Sequence, residues 1–404
     1  MDVIGFCIRA AVYAVFGMVG IPTAFGQASG PPAVAYQIDP AHTGTTRFTP
    51  AFYPRLEEQW RVDLGGSVSY PLIANGSVFV TFANSEEYGT NLVALDETTG
   101  QVLWGPIAVP GTYSWANAAY EGGRVFVVNF DGLMKAFDAS TGILDWSVQL
   151  PGQYAFTSAP TATYGIVYVG GAGTGGTAYA VDQSNGEVLW TQAMSYGGSS
   201  SPAVAGDAVF VSYACSQVYG FDAQFGSPLW NYSGQCEGGG AGTPVANNSR
   251  LYVRDFVSTP PGYIFDTASG DLLGRFDAQT TPAIGAQTGY FLQSGTLRGI
   301  ELDDNTVLWS FAGDGQLSSA PLLIDDFVLV GSGSGNLYVL NSSTGHEVWS
   351  TQVGAPILPP GEGNALLLIG LAAGDGIVAV PASNSLVVYR PLADTILLDG
   401  FDGP

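Results

Sequence analysis

The stretch AFDASTGILDW, residues 136–146, recurs along the chain at a nearly constant spacing. Most copies share the pattern D-x-x-x-G-x-x-x-W, but one has Asn341 in place of Asp, one ends in Gly274 instead of Trp, and one has a turn two residues shorter. The seven copies lie at residues 94–104, 136–146, 180–190, 220–230, 264–274, 301–309 and 339–349. Their ends are 35 to 44 residues apart, and a period near 42 is the length of a four-stranded propeller blade.

The segments before each motif repeat as well. Each of these segments begins with small residues, often Ser or Ala beside a Pro, and continues into a run rich in β-branched residues. Examples are SAPTATYGIVYVG at 158–170 and SPAVAGDAVFVSY at 201–213. Each such segment predicts a strand, a tight turn and a second strand, and the motif then adds two more strands. Since no convincing helical pattern follows the N-terminus, the chain is predicted to be all-β.

The spacing within the motif has a structural explanation. Asp138 can accept hydrogen bonds from backbone N–H groups just downstream, and Gly142 accepts a positive φ, so residues 138–142 are predicted to form the turn between the third and fourth strands. The predicted turn residues are Asp96, Gly100, Asp138, Gly142, Asp182, Gly186, Asp222, Gly226, Asp266, Gly270 and Gly345.

The motif tryptophan falls on the outer strand of each predicted blade. There its ring can dock against the neighbouring blade and bury about 150–250 Å². The residues predicted to dock in this way are Trp60, Trp104, Trp146, Trp190, Trp230, Trp309 and Trp349. We therefore interpret them as structural rather than ligand-binding.

The number of blades depends on how the ring closes. The segment EEQWRVDL, residues 57–64, resembles an isolated outer strand, and strand-like runs continue after Trp349 as far as Pro391. Closure by pairing this N-terminal strand with the C-terminal strands would remove the free edges. We predict a single eight-bladed propeller over residues 57–391; seven blades is the alternative.

The termini predict export. Residues 1–26 contain Arg9 and a short apolar run, typical of a secretory signal peptide, and no Cys follows that run at a lipoprotein position. We expect an N-terminal arm at 27–56, an acidic tail at 392–404, no membrane span or lipid anchor, and a periplasmic or secreted protein.

Two cysteines remain after the predicted leader. Cys215 lies between the second and third strands of the fourth blade and Cys236 in the crossing to the next blade, so both fall on one face. Export permits a disulfide, and the closed loop would contribute roughly 3 kcal/mol in the chain-entropy model. Two buried free thiols are the alternative.

The charge balance argues against two classes of partner, and the histidines and glycines suggest no metal or phosphate site. The chain has 34 acidic against 11 basic residues, which disfavours nucleic acid and anionic membrane surfaces as partners. His42 and His346 have no Cys or His at metal-ligand spacing, so both are expected on the surface. The glycine-rich runs precede strands rather than helices and predict blade turns.

The motif resembles the tryptophan-docking repeat of quinoprotein dehydrogenases, which are eight-bladed propellers carrying pyrroloquinoline quinone. It is equally similar to the propeller lipoprotein of the outer-membrane barrel assembly machinery, which has no quinone. The resemblance covers about residues 57–391 and implies the fold rather than an activity. The adjacent half-cystine pair of the dehydrogenases is absent here, and no catalytic, cofactor-binding or metal-binding residue can be carried over.

Two functional hypotheses follow. The first is an exported, non-catalytic scaffold that binds a protein or peptide on one face and has no cofactor. The second is an enzyme or redox protein with a quinone or sugar in the central funnel. An open funnel with a Trp floor, an Arg and converging carboxylates would favour the enzyme, whereas a plugged funnel with an apolar or aromatic rim would favour the scaffold.

Overall fold

The computed structural model describes residues 29–84, 88–198, 200–234, 242–255, 262–362 and 366–392. All regular elements in these ranges are β-strands, arranged in eight sheets. The two N-terminal strands are β1 (Thr45–Thr46) and β2 (Leu56–Asp63). The predicted signal peptide, the acidic tail beyond residue 392 and Cys236 lie outside the described residues.

The blades follow one another along the chain, each numbered here from its innermost strand outward. Blade 1 contains β3 (Leu72–Ala74), β4 (Ser77–Ala83), β5 (Thr90–Asp96) and β6 (Val102–Val109). Blade 2 contains β7 (Ala116–Glu121), β8 (Arg124–Asn129), β9 (Leu133–Asp138) and β10 (Leu144–Gln149). Blade 3 contains β11 (Thr161–Thr163), β12 (Ile166–Gly173), β13 (Gly175–Asp182) and β14 (Val188–Met194).

The next three blades have the same plan. Blade 4 contains β15 (Ala203–Ala205), β16 (Ala208–Tyr213), β17 (Gln217–Asp222) and β18 (Pro228–Ser233). Blade 5 contains β19 (Val245–Asn247), β20 (Arg250–Arg254), β21 (Gly262–Asp266) and β22 (Leu272–Phe276). Blade 6 contains β23 (Ala283–Ile284), β24 (Thr288–Gln293), β25 (Thr296–Glu301) and β26 (Val307–Phe311).

The last two blades include the N-terminal strands. Blade 7 contains β27 (Leu322–Ile324), β28 (Phe327–Gly331), β29 (Asn336–Asn341) and β30 (Glu347–Gln352), and β1 pairs in parallel with its inner edge. Blade 8 contains β31 (Ala372–Gly374), β32 (Ile377–Ala382) and β33 (Ser385–Pro391), with β2 as its outer strand.

The ring closes through this last sheet. Strand β2 pairs antiparallel with β33, and Trp60 lies opposite Val388. The prediction of eight blades closed by an N-terminal strand is therefore confirmed, and the seven-bladed alternative is wrong. Pairing chain segments about 330 residues apart covers an edge that would otherwise be exposed.

Every outer strand contains a register shift next to its motif position. In blade 2 it falls between Leu144 and Trp146, and in blade 8 between Glu58 and Trp60. The same shift occurs in blade 5, where Gly274 replaces the tryptophan. A bulge inserts one residue and increases the local twist, which helps to direct the following side chain toward the next blade.

The two ends of the ring are built differently. The turns between first and second strands and between third and fourth strands share one end, which we call the turn face. The connections between second and third strands and from blade to blade share the other end, the loop face. The apolar core lies between neighbouring blades, as in the cluster that joins Val93 and Leu95 of blade 1 to Val378 and Val388 of blade 8.

Candidate functional site

The motif turn forms a compact hydrogen-bonded unit. Oδ1 of Asp138 accepts bonds from the backbone N–H and hydroxyl groups of both Ser140 and Thr141, at 2.7–3.1 Å. The Ser140 hydroxyl, and then that of Thr141, hold the pKa of Asp138 below its usual value. Gly142 adopts φ 70°, which glycine tolerates.

The indole rings lie against the turns of the following blades. Trp104 Nε1 donates to Ala139 O at 2.8 Å, and a Cβ on Gly142 would lie 2.7 Å from the Trp104 ring. Only a glycine therefore allows the ring to approach the turn so closely. The same donation to the carbonyl after the turn Asp or Asn occurs for Trp60 (Glu97), Trp146 (Gln183), Trp190 (Ala223), Trp230 (Thr267) and Trp309 (Ser342), at 2.8–3.1 Å.

Two joints depart from this arrangement. Trp349 faces blade 8, whose outer strand β2 comes from the other end of the chain, so no turn joins β33 to β2. Its ring instead contacts Tyr389 edge-on, with centroids 6.2 Å apart. Between blades 5 and 6, Gly274 supplies no indole, and Arg250 Nη1 donates to the carbonyl of Leu302 at the equivalent turn position.

The segment between Pro31 and Thr46 runs along the inner strands of the ring. Its carbonyl groups accept hydrogen bonds from N–H groups at the same position of six inner strands. These bonds are Ile73 to Ala33, Tyr120 to Val34, Val204 to Pro40, Ala246 to Ala41, Ile284 to Thr43 and Leu323 to Gly44, at 2.7–2.9 Å. The arm therefore satisfies main-chain donors that the blades leave unpaired toward the channel.

Arm side chains cross the channel itself. The main chain at Val34 bonds to blade 2, whereas the hydroxyl of neighbouring Tyr36 lies 3.4 Å from Thr281 Oγ1 in blade 6, across the ring. Gln37 Nε2 donates to Thr281 O at 3.1 Å. Both side chains are buried.

His42 is buried in the same channel, so the expectation of a surface histidine is wrong. Its Nδ1 lies 3.1 Å from Pro244 O in blade 5 and its Nε2 lies 3.2 Å from Thr161 Oγ1 in blade 3. Burial lowers the pKa of His42 to about 4, because the protonated ring would lose its hydration. His346, by contrast, is exposed in the turn of blade 7.

Glu362, in the connection between blades 7 and 8, contacts residues of blades 5 and 6 in the channel. Glu362 pairs with Arg254, and both side chains are almost fully buried. Oε1 of Glu362 also accepts from Thr243 N at 2.8 Å, while Arg254 Nη2 donates to Thr281 Oγ1 at 2.9 Å. A fully buried charge is stable only when it is paired and hydrogen-bonded, which this network provides. No sequence motif indicated these two residues, since 108 residues separate them.

An apolar pocket of about 450 Å³ opens on the loop face next to Glu362, whose neighbour Gly361 lines it. Its walls come from blade 1, the blade 1–2 connection and the loop before blade 8. The lining residues are Ser67, Ala83, Ser114, Leu358, Pro359, Gly361, Leu366, Leu367 and Ile369. Leu366 is 68% exposed at the edge of the pocket.

Four exposed tyrosines extend from this pocket along the loop face. They are Tyr88 and Tyr113 of the blade 1 connections, Tyr154 between blades 2 and 3, and Tyr196 between blades 3 and 4. Their exposed fractions lie between 45% and 77%. We call this set the tyrosine rim. Two of its members belong to a short repeat that sequence inspection could have found, PGTYSW at 110–115 and PGQYAF at 151–156.

Cys215 lies between β16 and β17 and is buried, at the position expected on the loop face. The predicted partner Cys236 falls in the undescribed residues 235–241. The pairing of the two cysteines therefore remains a prediction.

The residues in the channel do not fit a quinone. An enzyme's funnel was expected to offer a Trp floor, an Arg and converging carboxylates. Here the Arg254 guanidinium is already paired with Glu362, and Tyr36 and His42 cross the space between the blades. Buried Trp115 packs in the apolar cluster between blades 2 and 3, with Phe126, Leu150 and Phe156.

Within the described ranges, the structure contains no helix with the length and apolarity of a membrane span. Groups of three or more metal-ligating side chains are also absent from this part of the chain.

Two kinds of curated protein are similar in sequence. The dehydrogenase subunit of a quinone alcohol dehydrogenase from Gluconacetobacter polyoxogenes is 28% identical over 330 residues, covering 72% of this chain and 41% of the relative. Outer membrane protein assembly factor BamB from Yersinia pestis is 23% identical over 308 residues, covering 72% of this chain and 71% of the relative. The chain spans only 21% to 41% of the length of three quinone alcohol dehydrogenase subunits that it matches.

Solved structures of both kinds share the fold. BamB from Moraxella catarrhalis superposes with a TM-score of 0.63 at 16% identity, covering 83% of this chain and 98% of that protein. A quinohemoprotein alcohol dehydrogenase from Pseudomonas putida HK5 superposes with a TM-score of 0.71 at 14% identity, covering 92% of this chain and 82% of that protein. These similarities demonstrate the architecture and leave the activity open.

The family model described as outer membrane protein assembly factor BamB matches residues 54–178, 153–255, 174–288 and 240–393, and so extends over the whole ring. The chain therefore belongs to this family of β-propeller repeat proteins.

Proposed function

We propose that this chain is a non-catalytic scaffold, exported to the periplasm or beyond, that docks a segment of a partner protein on its loop face. The observation that carries the proposal is the combination of a filled channel with an apolar pocket beside the tyrosine rim. Tyrosine supplies large contact area at low entropic cost, which suits a protein-binding surface. The assembly-factor description of the family model supports the same kind of role.

The pocket and the charge of the chain define the partner's chemistry. A volume of about 450 Å³ with mostly apolar walls accommodates leucine-like or phenylalanine-like side chains rather than polar ones. The formal net charge of −23 favours basic residues on either side of that anchor and disfavours acidic ones. The proposed ligand is therefore a short segment with an apolar anchor and basic flanks.

Synthetic peptides test this proposal directly. Three labelled peptides are compared by fluorescence anisotropy: one with Leu and Phe anchors and Lys flanks, one with Ser in place of the anchors, and one with Glu flanks. We expect the first to bind and the other two to be weaker by about tenfold or more. Equal binding of all three, or none, would contradict the proposed docking chemistry.

Matched variants locate the binding surface. Leu366→Asp places a charge at the pocket and should abolish binding of the first peptide, while Tyr154→Ala should weaken it several-fold. Leu229→Asp, on the outer strand of blade 4, and Ile143→Ala, in the turn between β9 and β10 on the turn face, change similarly exposed residues and should leave binding intact. Loss of binding in these controls would refute the assignment to the loop face.

The alternative function is a redox protein with a quinone in the funnel, which the quinone alcohol dehydrogenase relatives favour. It is tested by mixing the protein with pyrroloquinoline quinone and calcium and measuring bound quinone by absorbance after gel filtration. We expect no complex. Stoichiometric uptake would overturn the scaffold proposal in favour of the redox protein.

We also infer that Cys215 and Cys236 form a disulfide that ties the second-to-third strand loop of blade 4 to the crossing into blade 5. The burial of Cys215 on the loop face supports this, as does the predicted export. Mass spectrometry of a non-reducing digest should show the two cysteine peptides linked. Two separately alkylated thiols would contradict the bridge.

A further inference from the structure

A second cavity, of about 460 Å³, lies on the turn face, opposite the proposed docking surface. It is formed where the first turn of blade 3 faces the first and last turns of blade 4. The lining residues are Tyr164, Ile166, Tyr168, Gly206, Asp207, Asp222, Ala223 and Gln224. Its size is that of a site for a small ligand or one long side chain.

The two carboxylates of this cavity retain capacity to accept hydrogen bonds. Asp222 is a motif residue, but its turn reads D-A-Q-F-G and has no Ser or Thr hydroxyl. Its Oδ1 accepts from Phe225 N at 2.7 Å, whereas Asp138 in blade 2 accepts four bonds from Ser140 and Thr141. The exposed Asp207 carboxylate makes no hydrogen bond or ion pair within the described residues.

Aromatic rings form part of the same walls. Tyr164 is 78% exposed and lines the cavity. Tyr168 lies deeper and donates its hydroxyl to Ala223 O at 3.1 Å. Glu121, which accepts from Tyr164 N at 2.8 Å, adds a third carboxylate behind the turn.

The charges around the cavity are negative, as a site for a cation requires. Burial, followed by the charges of Asp222 and Glu121, raises the pKa of the Tyr168 hydroxyl. None of the lining residues is basic. A cation entering the cavity would therefore meet uncompensated negative charge and a polarisable ring, the combination that binds alkylammonium groups.

We infer that the cavity between blades 3 and 4 binds an alkylammonium group, with Asp207 and Asp222 as its counter-ions and Tyr164 as its aromatic wall. A lysine side chain of a bound protein and a free polyamine present the same group. This site is independent of the loop-face scaffold proposal, since it lies on the other face and uses different chemistry.

Small probes test the site on the full-length protein. Binding of N-acetyl-lysine amide, spermidine and neutral N-acetyl-norleucine amide is measured by isothermal titration calorimetry. We expect saturable binding of the lysine derivative or of spermidine, weakened by added salt, and none of the norleucine derivative. A clear preference for spermidine would identify a polyamine site, and a preference for the lysine derivative would identify a protein-borne side chain.

Variants separate specific binding from general attraction to an acidic protein. The double variant Asp207→Asn, Asp222→Asn retains the acceptor for Phe225 N and should weaken binding by at least about tenfold. Tyr164→Ala should weaken binding about threefold or more. Asp138→Asn, at the equivalent turn of blade 2, should leave the affinity for these probes unchanged. Unchanged binding in the double variant, equal losses in Asp138→Asn, or equal binding of the norleucine derivative would overturn the proposal.

Discussion

The joint between blades 1 and 2 and the joint between blades 5 and 6 solve one problem with different residues. In the first, the Trp104 indole donates to Ala139 O and covers Gly142. In the second, the outer-strand position holds Gly274, and Arg250 from a different strand donates to Leu302 O. A turn carbonyl that faces a neighbouring blade thus has a donor in both joints. The comparison indicates that satisfying this carbonyl matters at both joints, whereas the indole is one of two ways to do so.

The apolar packing of the two joints differs as well. Trp104 packs near Phe79, with ring centroids 5.9 Å apart. Between blades 5 and 6, the ring centroids of Phe276 and Phe291 lie 5.4 Å apart, so the aromatic contact there comes from residues outside the motif position. The turn of blade 6 lacks the motif glycine, and Asn305 adopts φ 62° there. Without a ring pressing on the turn, a side chain is tolerated at that position.

The largest expected effect is the loss of an indole. Trp104→Ala removes a buried ring and the donor to Ala139 O, and should lower the free energy of unfolding by about 3–5 kcal/mol. Trp349→Ala should cost about 1 kcal/mol less, because Trp349 has no turn carbonyl to bond. Urea unfolding of both variants measures the difference. Equal losses would show that docking on the turn contributes nothing beyond burial.

The next effect concerns the glycine beneath the ring. Gly142→Ala introduces a Cβ that would lie 2.7 Å from the Trp104 ring, at a residue with φ 70°. We expect a loss of about 1–3 kcal/mol. Gly274→Ala is the control, because a Cβ there would meet its nearest atom at 3.9 Å, and it should change stability by at most about 0.5 kcal/mol. Comparable thermal melts for the two variants would contradict the close-approach explanation.

A smaller effect is expected at Arg250. Arg250→Met leaves Leu302 O without this donor and should cost about 1–2 kcal/mol, with faster hydrogen exchange in β22 and in the turn of blade 6. Arg124 occupies the equivalent first position of β8, but pairs with Asp145 at the surface, at 2.8 Å. Arg124→Met should therefore change stability by less than about 1 kcal/mol. If exchange near Leu302 stayed unchanged, Arg250 would not be the replacement for the indole.

The last prediction is pH-dependent and concerns the joint between blades 8 and 1. Burial, and then the charge of Asp375, raises the pKa of Glu97 from 4.5 to about 7, although Arg390 lies 3.1 Å away. Between these values the folded state binds more protons than the unfolded state, so Glu97 contributes a loss of stability as pH rises from about 4.5 to 7. Glu97→Gln should flatten this part of the stability profile. An identical slope in the wild type and the variant would exclude Glu97 as the titrating group.

The local features of the ring could be read from short segments. The turn at residues 138–142 and the outer-strand position of Trp146 follow from patterns a few residues long, because the hydrogen bonds and dihedral angles involved are local. The closing role of residues 57–64 follows from their strand pattern together with the need to pair free sheet edges. The same reasoning placed His42 on the surface, since nothing in its neighbourhood marks it as buried. Arg250 was also missed, because its partner Leu302 is 52 residues away.

The sequence by itself determined the all-β class, the repeat, the blade number and the way the ring closes. These properties depend on periodic local preferences and on the need to pair two free edges. Only the tertiary structure decided what fills the channel and which surfaces remain open. Tyr36 meets Thr281 across 245 residues of sequence, and Glu362 meets Arg254 across 108. Such contacts arise because closing the ring brings eight inner strands around one axis, a geometry that no single segment of the chain encodes.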